Sequence, residues 1–339
     1  MNQIKQANGY RLHSLSPLFS QDIAPAAQPD PDEVDFDLDR ALGSVVGLRS
    51  EIPEDTFTAP ILGTEREGNG VLIDNNGMVL TIGYLIAEAE TITLTSQTNR
   101  ISTAEVIAYD YETGFGMVHA DEPLNIEPIA LGSSATLGEG DSVIVGGHGG
   151  RGQSIAASVV SKREFAGYWE YMLDEAIFTA PPHPNWGGTA LIGADGRLAG
   201  IGSLFVQDPV PGGQISHGNM FVPIDLLKPI YSDLLSFGRA NRPPHPWLGM
   251  FTTEIDDNLV IAGTANGGPA QKADVRVGDI VMEIDGEPVE TLAQMLRAIW
   301  SLGAPGVTVR LTLLREDQTL DVYVRSADRY DMMKLTLRH

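Results

Sequence analysis

The feature that most constrains the fold is a long succession of short strand-like runs between Ser44 and about Ile224. Turn residues separate these runs, and Asn75-Asn76-Gly77 and Asp195-Gly196 are signals of tight hairpins. The runs with strand character are residues 70–74, 78–82, 91–95, 104–110, 116–120, 142–147, 154–161, 176–180, 198–205 and 219–224. Many short strands with little helix predict an all-β barrel or sandwich.

The pattern differs on both sides of this region. Residues 1–40 have no regular hydrophobic period and end in an acidic run broken by prolines, so we expect a flexible tail. Residues 225–240 have a helical period, and a proline-rich linker follows them. Beyond the linker, residues 247–329 mix strands with one amphipathic helix at 290–300. The chain therefore divides into a larger β domain and a smaller mixed domain.

Composition excludes several classes of protein. The chain has 339 residues, enough for two domains, and its net charge of −23 argues against nucleic acid and anionic membranes as partners. It has no cysteine, which excludes disulfides, thiolate zinc sites and a cysteine nucleophile. No apolar run is long enough to span a membrane, and the first thirty residues lack the apolar core of a signal peptide. We expect a cytoplasmic protein, or a periplasmic one if the chain is a processed form.

Five runs resemble, in the same order, segments of the HtrA/DegP-type serine proteases. They are GNGVLIDNNGMVLT (68–81), AYDYETGFGMV (108–118), IVGGHGGRGQSIAASVVS (144–161), GNMFVPIDLLKPIYSDLLSFGRANRPPHPWLGM (218–250) and VRVGDIVMEIDGEPV (275–289). The resemblance implies a mainly β chain. A trypsin-like double β-barrel at 41–240 would precede a smaller α+β PDZ domain at 244–329, with a C-terminal tail at 330–339.

The resemblance fails at the catalytic residues. The run FTAPPHPNWGGTAL (178–191) is similar to the nucleophile loop of the family, but no serine stands in it. Without a gap, Gly187 takes the serine position; with one gap that matches the glycine pair, Trp186 takes it. Tyr84 stands at the histidine position and Gly114 at the aspartate position. The resemblance thus leaves the nucleophile, the general base and the group that orients the base all without a candidate.

The size of the catalytic loss decides the functional interpretation. Disabling a serine triad costs about 10⁶ in turnover. From a typical turnover of about 10 per second, on the order of 10⁻⁵ per second would remain. We therefore interpret the chain as a catalytically inactive homologue that works by binding, as a scaffold, adaptor or chaperone-like subunit. The alternative is an active serine endopeptidase of the HtrA/DegP kind, engaged in protein quality control.

Other residues offer little replacement chemistry. His119 ends a strand, His148 lies in a glycine-rich loop that leads into a strand, and His183 stands between two prolines. We expect surface, connecting and rigid-loop roles for them. Ser161 and Lys162 are adjacent on a strand, so their side chains point to opposite faces. No histidine pair has metal-ligand spacing, and we expect neither a metal nor a cofactor.

Aromatic residues around the former catalytic positions have two interpretations. They fill the emptied cleft, which we favour, or they form a peptide-binding surface. The residues concerned are Tyr84, Phe115, Trp186 and the run Phe165, Tyr168, Trp169 and Tyr171.

The PDZ resemblance implies a site for the C-termini of proteins or peptides. Such domains add an extended chain end to a sheet edge and hold its carboxylate with backbone N–H groups of a glycine-containing loop. The candidate residues are Trp247, Leu248, Gly249, Met250 and Phe251 in the loop and edge strand, with Met295 or Leu296 and Ile299 on the facing helix. The alternative is that these apolar residues only pack the domain. The resemblance also implies a homo-oligomer, a trimer, and a larger protein complex is a further candidate partner.

Overall fold

The computed structural model describes residues 23–215 and 217–335. The described chain forms two compact units. The smaller unit consists of Glu164–Asp174 and Arg242–Lys334, and the larger one consists of residues 23–163, 175–215, 217–241 and 335.

The first barrel lies in the larger unit. Its strands are β1 (Val45–Glu51), β2 (Glu65–Leu72), β3 (Met78–Ile82), β4 (Thr91–Thr95), β5 (Ile101–Tyr109) and β6 (Phe115–Ala120). They close in the order β1-β2-β3-β6-β5-β4. The predicted turn at Asn75–Gly77 connects β2 to β3, and Gly77 has a φ of +94°, which favours glycine. All residues of β3 are buried, so this strand lies within the core and fixes the position of the turn at its end.

The second barrel also has six strands. They are β7 (Ser142–Gly146), β8 (Ser154–Gly167), β9 (Tyr171–Ala180), β10 (Ala190–Ile192), β11 (Leu198–Gln207) and β12 (His217–Pro223). They close in the order β10-β11-β12-β9-β8-β7. The long strands β8 and β9 form a hairpin whose tip, residues 164–174, is part of the smaller unit.

Residues 23–40 differ from the flexible tail that the sequence suggested. Ile23 is 6% exposed and packs in the core of the second barrel, and Ala27, in the 3₁₀ turn that follows, packs against the same cluster. Leu38 is buried in a short helix, α1 (Leu38–Gly43), which Asp37 caps by accepting from the N–H of Arg40. Residues 1–22 lie outside the described part of the chain.

The region with helical period at 225–240 contains less helix than predicted. A 3₁₀ turn covers Ile224–Leu226, and the helix α3 covers only Tyr231–Phe237. Pro229 cannot donate a helical hydrogen bond, so the helix begins after it. Gly238, with a φ of +72°, ends the helix in the left-handed conformation. One further short helix, α2 (Ala59–Leu62), precedes β2.

The smaller unit is a sheet with two helices. Its elements are β13 (Met250–Ile255), β14 (Asn258–Thr264), α4 (Pro269–Lys272), β15 (Ile280–Ile284), β16 (Glu287–Pro288), α5 (Leu292–Ser301), β17 (Thr308–Arg315) and β18 (Gln318–Arg325). The strand order is β13-β14-β15-β17-β18, with β16 beside β15, so β13 lies at one end of the order. The predicted amphipathic helix at 290–300 is confirmed as α5, which Thr291 caps. The expected fold class, mainly β with a smaller α+β unit, is confirmed.

No helix within residues 23–215 and 217–335 is both long and apolar enough to cross a membrane.

Candidate functional site

The three positions that the sequence resemblance assigns to the catalytic triad lie next to one another. Tyr84 is in the 3₁₀ turn that follows β3, and its hydroxyl donates to the carbonyl of Ser203 at 2.8 Å. A Cβ atom on Gly187 would lie 2.9 Å from Tyr84 Oη, so these two positions face each other. The carbonyl of Gly114 accepts from the N–H of Gly83, the residue before Tyr84, at 2.7 Å. The fold thus brings together tyrosine and two glycines where a triad would stand.

Trp186 lies beside the same tyrosine. Its ring packs against Phe205 with 5.7 Å between centroids, and the residue is 8% exposed. Burial raises the pKa of the Tyr84 phenol, and a hydrogen bond from Trp186 opposes that change. Tyr84 is therefore a neutral phenol at physiological pH. Both residues that the sequence offered for the serine position, Gly187 and Trp186, contact the space at Tyr84, and the indole fills part of it.

The backbone of the nucleophile-like loop is hydrogen bonded within the protein. In triad enzymes the oxyanion hole uses the N–H of the nucleophile and that of the residue two positions before it. With Gly187 at the nucleophile position, the second donor is Asn185. Its N–H donates to Nδ1 of His183 at 3.0 Å. The carbonyl of Gly187 accepts from the N–H of Asn69 at 2.8 Å, and the N–H of Gly188 donates to Gly202 at 2.8 Å.

His183 is an interior residue with both ring nitrogens hydrogen bonded. It is 0% exposed, and Nε2 lies 2.9 Å from the carbonyl of Gln153. Because Nδ1 accepts from Asn185, Nε2 carries the proton and donates to Gln153. Burial lowers the pKa of His183, so the ring is neutral. Its backbone N–H donates to Asn219 Oδ1 at 2.6 Å, which fixes the loop.

The other candidate groups lie apart from this centre or bond elsewhere. His148 Nε2 is 3.3 Å from the carbonyl of Ser96, and His119 lies on β6 opposite Met78. Ser161 Oγ donates to the carbonyl of Pro209 at 2.7 Å. Lys162 Nζ donates to the carbonyls of Ser134 and Leu137, both at 3.1 Å, and pairs with Glu175 at 3.0 Å. The structure therefore does not bring Ser161 and Lys162 together as a dyad.

The described part of the chain contains no set of side chains that could bind a metal ion. Within it, no group of three or more His, Cys, Asp or Glu side chains could hold an ion. A cleft of about 440 Å³ lies between the two barrels, with Asn69, His148, His183 and Asn185 among its lining residues.

Arg66 supports the segment that carries Tyr84, and the sequence analysis missed it. Its side chain is 0% exposed. The guanidinium donates to the carbonyls of Tyr84 and Ala87 at 2.7 and 3.0 Å and to Thr58 Oγ1 at 2.7 Å. The carboxylate of Glu88, also buried, accepts from the same Thr58 hydroxyl at 2.6 Å. In the sequence, a buried arginine in a strand is visible only as one polar residue at a position where the pattern expects an inward-facing apolar residue. That signal does not distinguish it from an exposed arginine.

The predicted carboxylate-binding loop of the smaller unit holds a carboxylate. The N–H groups of Leu248 and Met250 donate to the two carboxylate oxygens of Glu170 at 3.0 and 2.7 Å. Gly249 between them has a φ of +74°, and a Cβ there would lie 3.0 Å from the Trp247 ring. This position therefore requires glycine. The sequence located the loop but offered no indication of Glu170.

The predicted helix residues lie in the core of the smaller unit. Met295, Leu296 and Ile299 are each 0% exposed and pack in a cluster that includes Leu248 and Met250. Their side chains thus support the loop from beneath. Of the remaining predicted residues, Trp247 is 4% exposed, and Phe251 is half-buried with its ring 6.1 Å from that of Tyr168.

The aromatic run at 165–171 lies at the tip of the β8–β9 hairpin. Phe165 and Tyr171 are buried, and Trp169 stacks on Tyr171 with 5.6 Å between centroids. Phe115 is 0% exposed, in the first barrel. These residues are packed within their units, but the run 165–171 does not fill the space at Tyr84, because it belongs to the smaller unit.

Comparisons with known proteins agree with the order of the two units. The family described as trypsin-like peptidase domain matches residues 68–201, and the PDZ domain family matches residues 246–325. The periplasmic pH-dependent serine endoprotease DegQ of Escherichia coli is 28% identical over 318 residues, which is 85% of this chain and 68% of DegQ. HhoA of Synechocystis, named as a serine protease, is 26% identical over 287 residues, 77% of this chain and 70% of HhoA.

A solved structure shows the same fold. The HtrA-type protease AlgW with a decapeptide matches with a TM-score of 0.50 and 20% identity, covering 86% of this chain and 97% of the AlgW chain. The chain therefore carries a match to a trypsin-like peptidase domain followed by a match to a PDZ domain, and its sequence is similar to HtrA/DegP-type serine proteases.

Proposed function

We propose that this chain is a catalytically inactive HtrA-type homologue that acts by binding peptide or protein segments, as a scaffold, adaptor or chaperone-like subunit. One observation carries the proposal: Tyr84, Gly114 and Gly187 (or Trp186) stand where the resemblance would put the triad, and the Tyr84 hydroxyl occupies the space beside Gly187. None of these residues supplies an alkoxide nucleophile or an imidazole base.

The backbone supports the same proposal. An oxyanion hole needs free N–H groups aimed at the developing charge. The N–H of Asn185 is already bonded to His183, and breaking that bond would leave a buried imidazole nitrogen without its donor. Catalysis at this loop would need a rearrangement as well as new side chains.

The competing function is that of an active serine endopeptidase, and the names of the relatives favour it. DegQ and HhoA are both named as serine proteases. At 26–28% identity a change at three positions is compatible with the same fold. The two functions differ in one measurable property, namely a serine that reacts with an electrophile.

A labelling experiment separates them. The full chain is incubated with a fluorophosphonate probe and, separately, with unfolded casein, with DegQ as the positive control. We expect no labelled serine and no cleavage above the blank. Specific labelling of any serine within residues 41–240 would establish the endopeptidase instead.

The binding half of the proposal concerns the PDZ domain. AlgW is described with a decapeptide, and PDZ domains bind chain termini by strand addition. We expect micromolar binding of peptides that end in an apolar residue with a free carboxylate. Amidation of that terminus should weaken binding by about 1.5–3 kcal/mol, the range for hydrogen bonds to charged groups.

Oligomeric state and compartment are part of the same proposal. A trimer follows from the family resemblance, and light scattering of the full chain and of residues 23–339 tests it. The same number of subunits in both would show that residues 1–22 do not contribute to assembly. DegQ is named as periplasmic, which favours the periplasmic alternative for this chain over the cytoplasmic one; fractionation of the native cell decides between them.

A further inference from the structure

The loop that would bind a peptide carboxylate is occupied by a side chain of the same chain. Oε2 of Glu170 accepts from the N–H of Leu248 at 3.0 Å, and Oε1 accepts from the N–H of Met250 at 2.7 Å. Glu170 is 5% exposed, so its charged group has left water for these donors. This is the arrangement in which a PDZ loop holds a terminal carboxylate.

The backbone beside Glu170 also pairs with β13, the strand to which a peptide would add. The carbonyl of Tyr168 accepts from the N–H of Thr252 at 3.0 Å. Tyr168 is two residues before Glu170, and Thr252 is two residues after Met250, so the tip follows β13 in the opposite direction. Strand β13 lies at the end of the strand order, where strand addition is possible. The ring of Tyr168 meets that of Phe251 edge-on at 6.1 Å.

Contacts on both sides of Glu170 hold the tip in this position. Arg329 Nη1 donates to the carbonyl of Trp169 at 3.4 Å. Arg297 on α5 pairs with Asp174 at 2.9 Å and with Glu164 at the other side of the hairpin. Apolar side chains of the tip, Ala166 and Met172, pack against the core of the PDZ unit.

The backbone conformation of Glu170 indicates that the glutamate side chain has a role beyond forming the hairpin turn. Its φ is +58°, in the left-handed region. Glycine or asparagine adopts this conformation at less cost, whereas other residues lose about 1 kcal/mol or more. A hairpin turn alone would therefore favour glycine at this position. The carboxylate bonds to Leu248 and Met250 explain why glutamate is tolerated.

We propose that residues 168–170 are an internal ligand of the PDZ groove, and that peptides with a free C-terminal carboxylate bind this protein by displacing Glu170. The second part rests on the peptide binding of the proposed function. The internal ligand and an external peptide use the same N–H groups, so one excludes the other. The groove is therefore closed in the free protein, and its apparent affinity for peptide is reduced by the fraction of molecules in which the tip is bound.

Two substitutions in the full chain test this. Glu170→Gly removes the carboxylate and suits the positive φ, and Glu170→Gln replaces one carboxylate oxygen with an N–H₂ donor that faces the donors of the loop. Fluorescence polarisation is measured with a labelled peptide that has an apolar last residue and a free carboxylate. We expect Glu170→Gly to bind it at least about tenfold more tightly than the unmodified protein, as when a groove open in under a tenth of molecules is freed. The matched control is Glu175→Gln, an exposed acid on the same hairpin, which should leave the affinity unchanged.

Hydrogen exchange provides a second readout that does not depend on peptide. The segment 246–253 contains the donors to Glu170 and Tyr168, so it should exchange faster in both Glu170 variants while the segments of β17 and β18 stay unchanged. Unchanged exchange, or equal peptide affinity of all four proteins, would overturn the internal ligand. If neither the unmodified protein nor the variants bind peptide, the peptide-binding function fails, and displacement by peptide fails with it; faster exchange would then support only the occupied groove.

Discussion

Tyr84 and Gly187 share one space: a Cβ atom on Gly187 would lie 2.9 Å from the hydroxyl oxygen of Tyr84. That separation is shorter than carbon and oxygen tolerate without moving. The hydroxyl cannot easily withdraw, because it donates to the carbonyl of Ser203. A side chain at 187 therefore forces the Tyr84 hydroxyl or the backbone to shift.

The first prediction is that the two positions are energetically coupled. Gly187→Ala should lower the free energy of unfolding by about 1–3 kcal/mol, the usual cost of overpacking. In a Tyr84→Phe background, which lacks the hydroxyl, the same change should cost less. Chemical denaturation of the four proteins in a double-mutant cycle measures the coupling. Gly152→Ala is the control, since a Cβ there meets nothing within 4 Å. Additive effects in the cycle would show that Tyr84 does not fill the space.

The second prediction concerns buried His183. Replacing it with alanine leaves the N–H of Asn185 and the carbonyl of Gln153 without their partner, so unfolding should become easier by about 2–5 kcal/mol. Burial lowers the pKa of the folded-state imidazole below its ordinary 6.5. As the pH falls, the imidazole of the unfolded chain is protonated before that of the folded protein. The contribution of His183 to the free energy of unfolding is therefore complete above about pH 6.5 and is lost as the pH falls below this value.

Urea denaturation at pH 8, 6.5 and 5 tests this dependence. The unmodified protein should lose more stability than His183→Gln over that range, and His119→Gln serves as the control for loss of a histidine. Parallel losses in all three proteins would contradict a neutral, buried His183.

The third prediction is that Arg66 supports the Tyr84 segment. Burial lowers the pKa of Arg66 to about 10, which leaves it charged at neutral pH. Arg66→Met removes donors to Tyr84 and Ala87 and leaves buried Glu88 without its nearby cation. Leaving a buried charge without a compensating charge costs about 3–5 kcal/mol.

Thermal and urea unfolding measure that cost. Arg49→Met, at a half-exposed arginine of β1, should change stability by less than about 1 kcal/mol. Adding Glu88→Gln to Arg66→Met should restore part of the loss. If the double variant is no more stable than Arg66→Met, the electrostatic explanation is wrong.

Local patterns predicted ten of the twelve barrel strands, all except β1 and β10. Alternation and turn residues located the strands, and the apolar face of residues 290–300 located α5 because its period is set by the helix itself. The carboxylate loop at Leu248–Met250 could be predicted because a glycine must stand there. The helical region at 225–240 was overestimated, since Pro229 and Gly238 limit α3 to seven residues.

Contacts between residues far apart in the chain could not be predicted from the sequence. Glu170 meets Leu248 and Met250 across 78 and 80 residues, and no periodicity relates a turn to a distant loop. The same holds for Arg66, whose partners come from several segments. At the positions that the resemblance assigns to the triad, the residue types could be read directly, but the contact between Tyr84 and Gly187 required the folded backbone.

The last prediction is that peptide binding depends on pH through Glu170. Burial raises the pKa of this carboxyl to about 7, and the N–H groups of Leu248 and Met250 and the charge of Arg329 limit the rise. Away from the loop the carboxyl returns to its ordinary value of 4.5. Binding of the tip therefore takes up a proton between these values, and the closed groove becomes more stable as the pH falls from 8 to 6.

The apparent affinity of the unmodified protein for a C-terminal peptide should consequently fall by about tenfold from pH 8 to pH 6, since one pH unit below the pKa corresponds to a factor of ten. In Glu170→Gly the affinity should stay nearly constant, because the peptide carboxylate remains ionised throughout this range. Polarisation titrations at pH 6, 7 and 8, with a peptide that contains no histidine, measure both proteins. An unmodified protein whose affinity is constant or rises toward pH 6 would show that proton uptake by Glu170 does not control the groove.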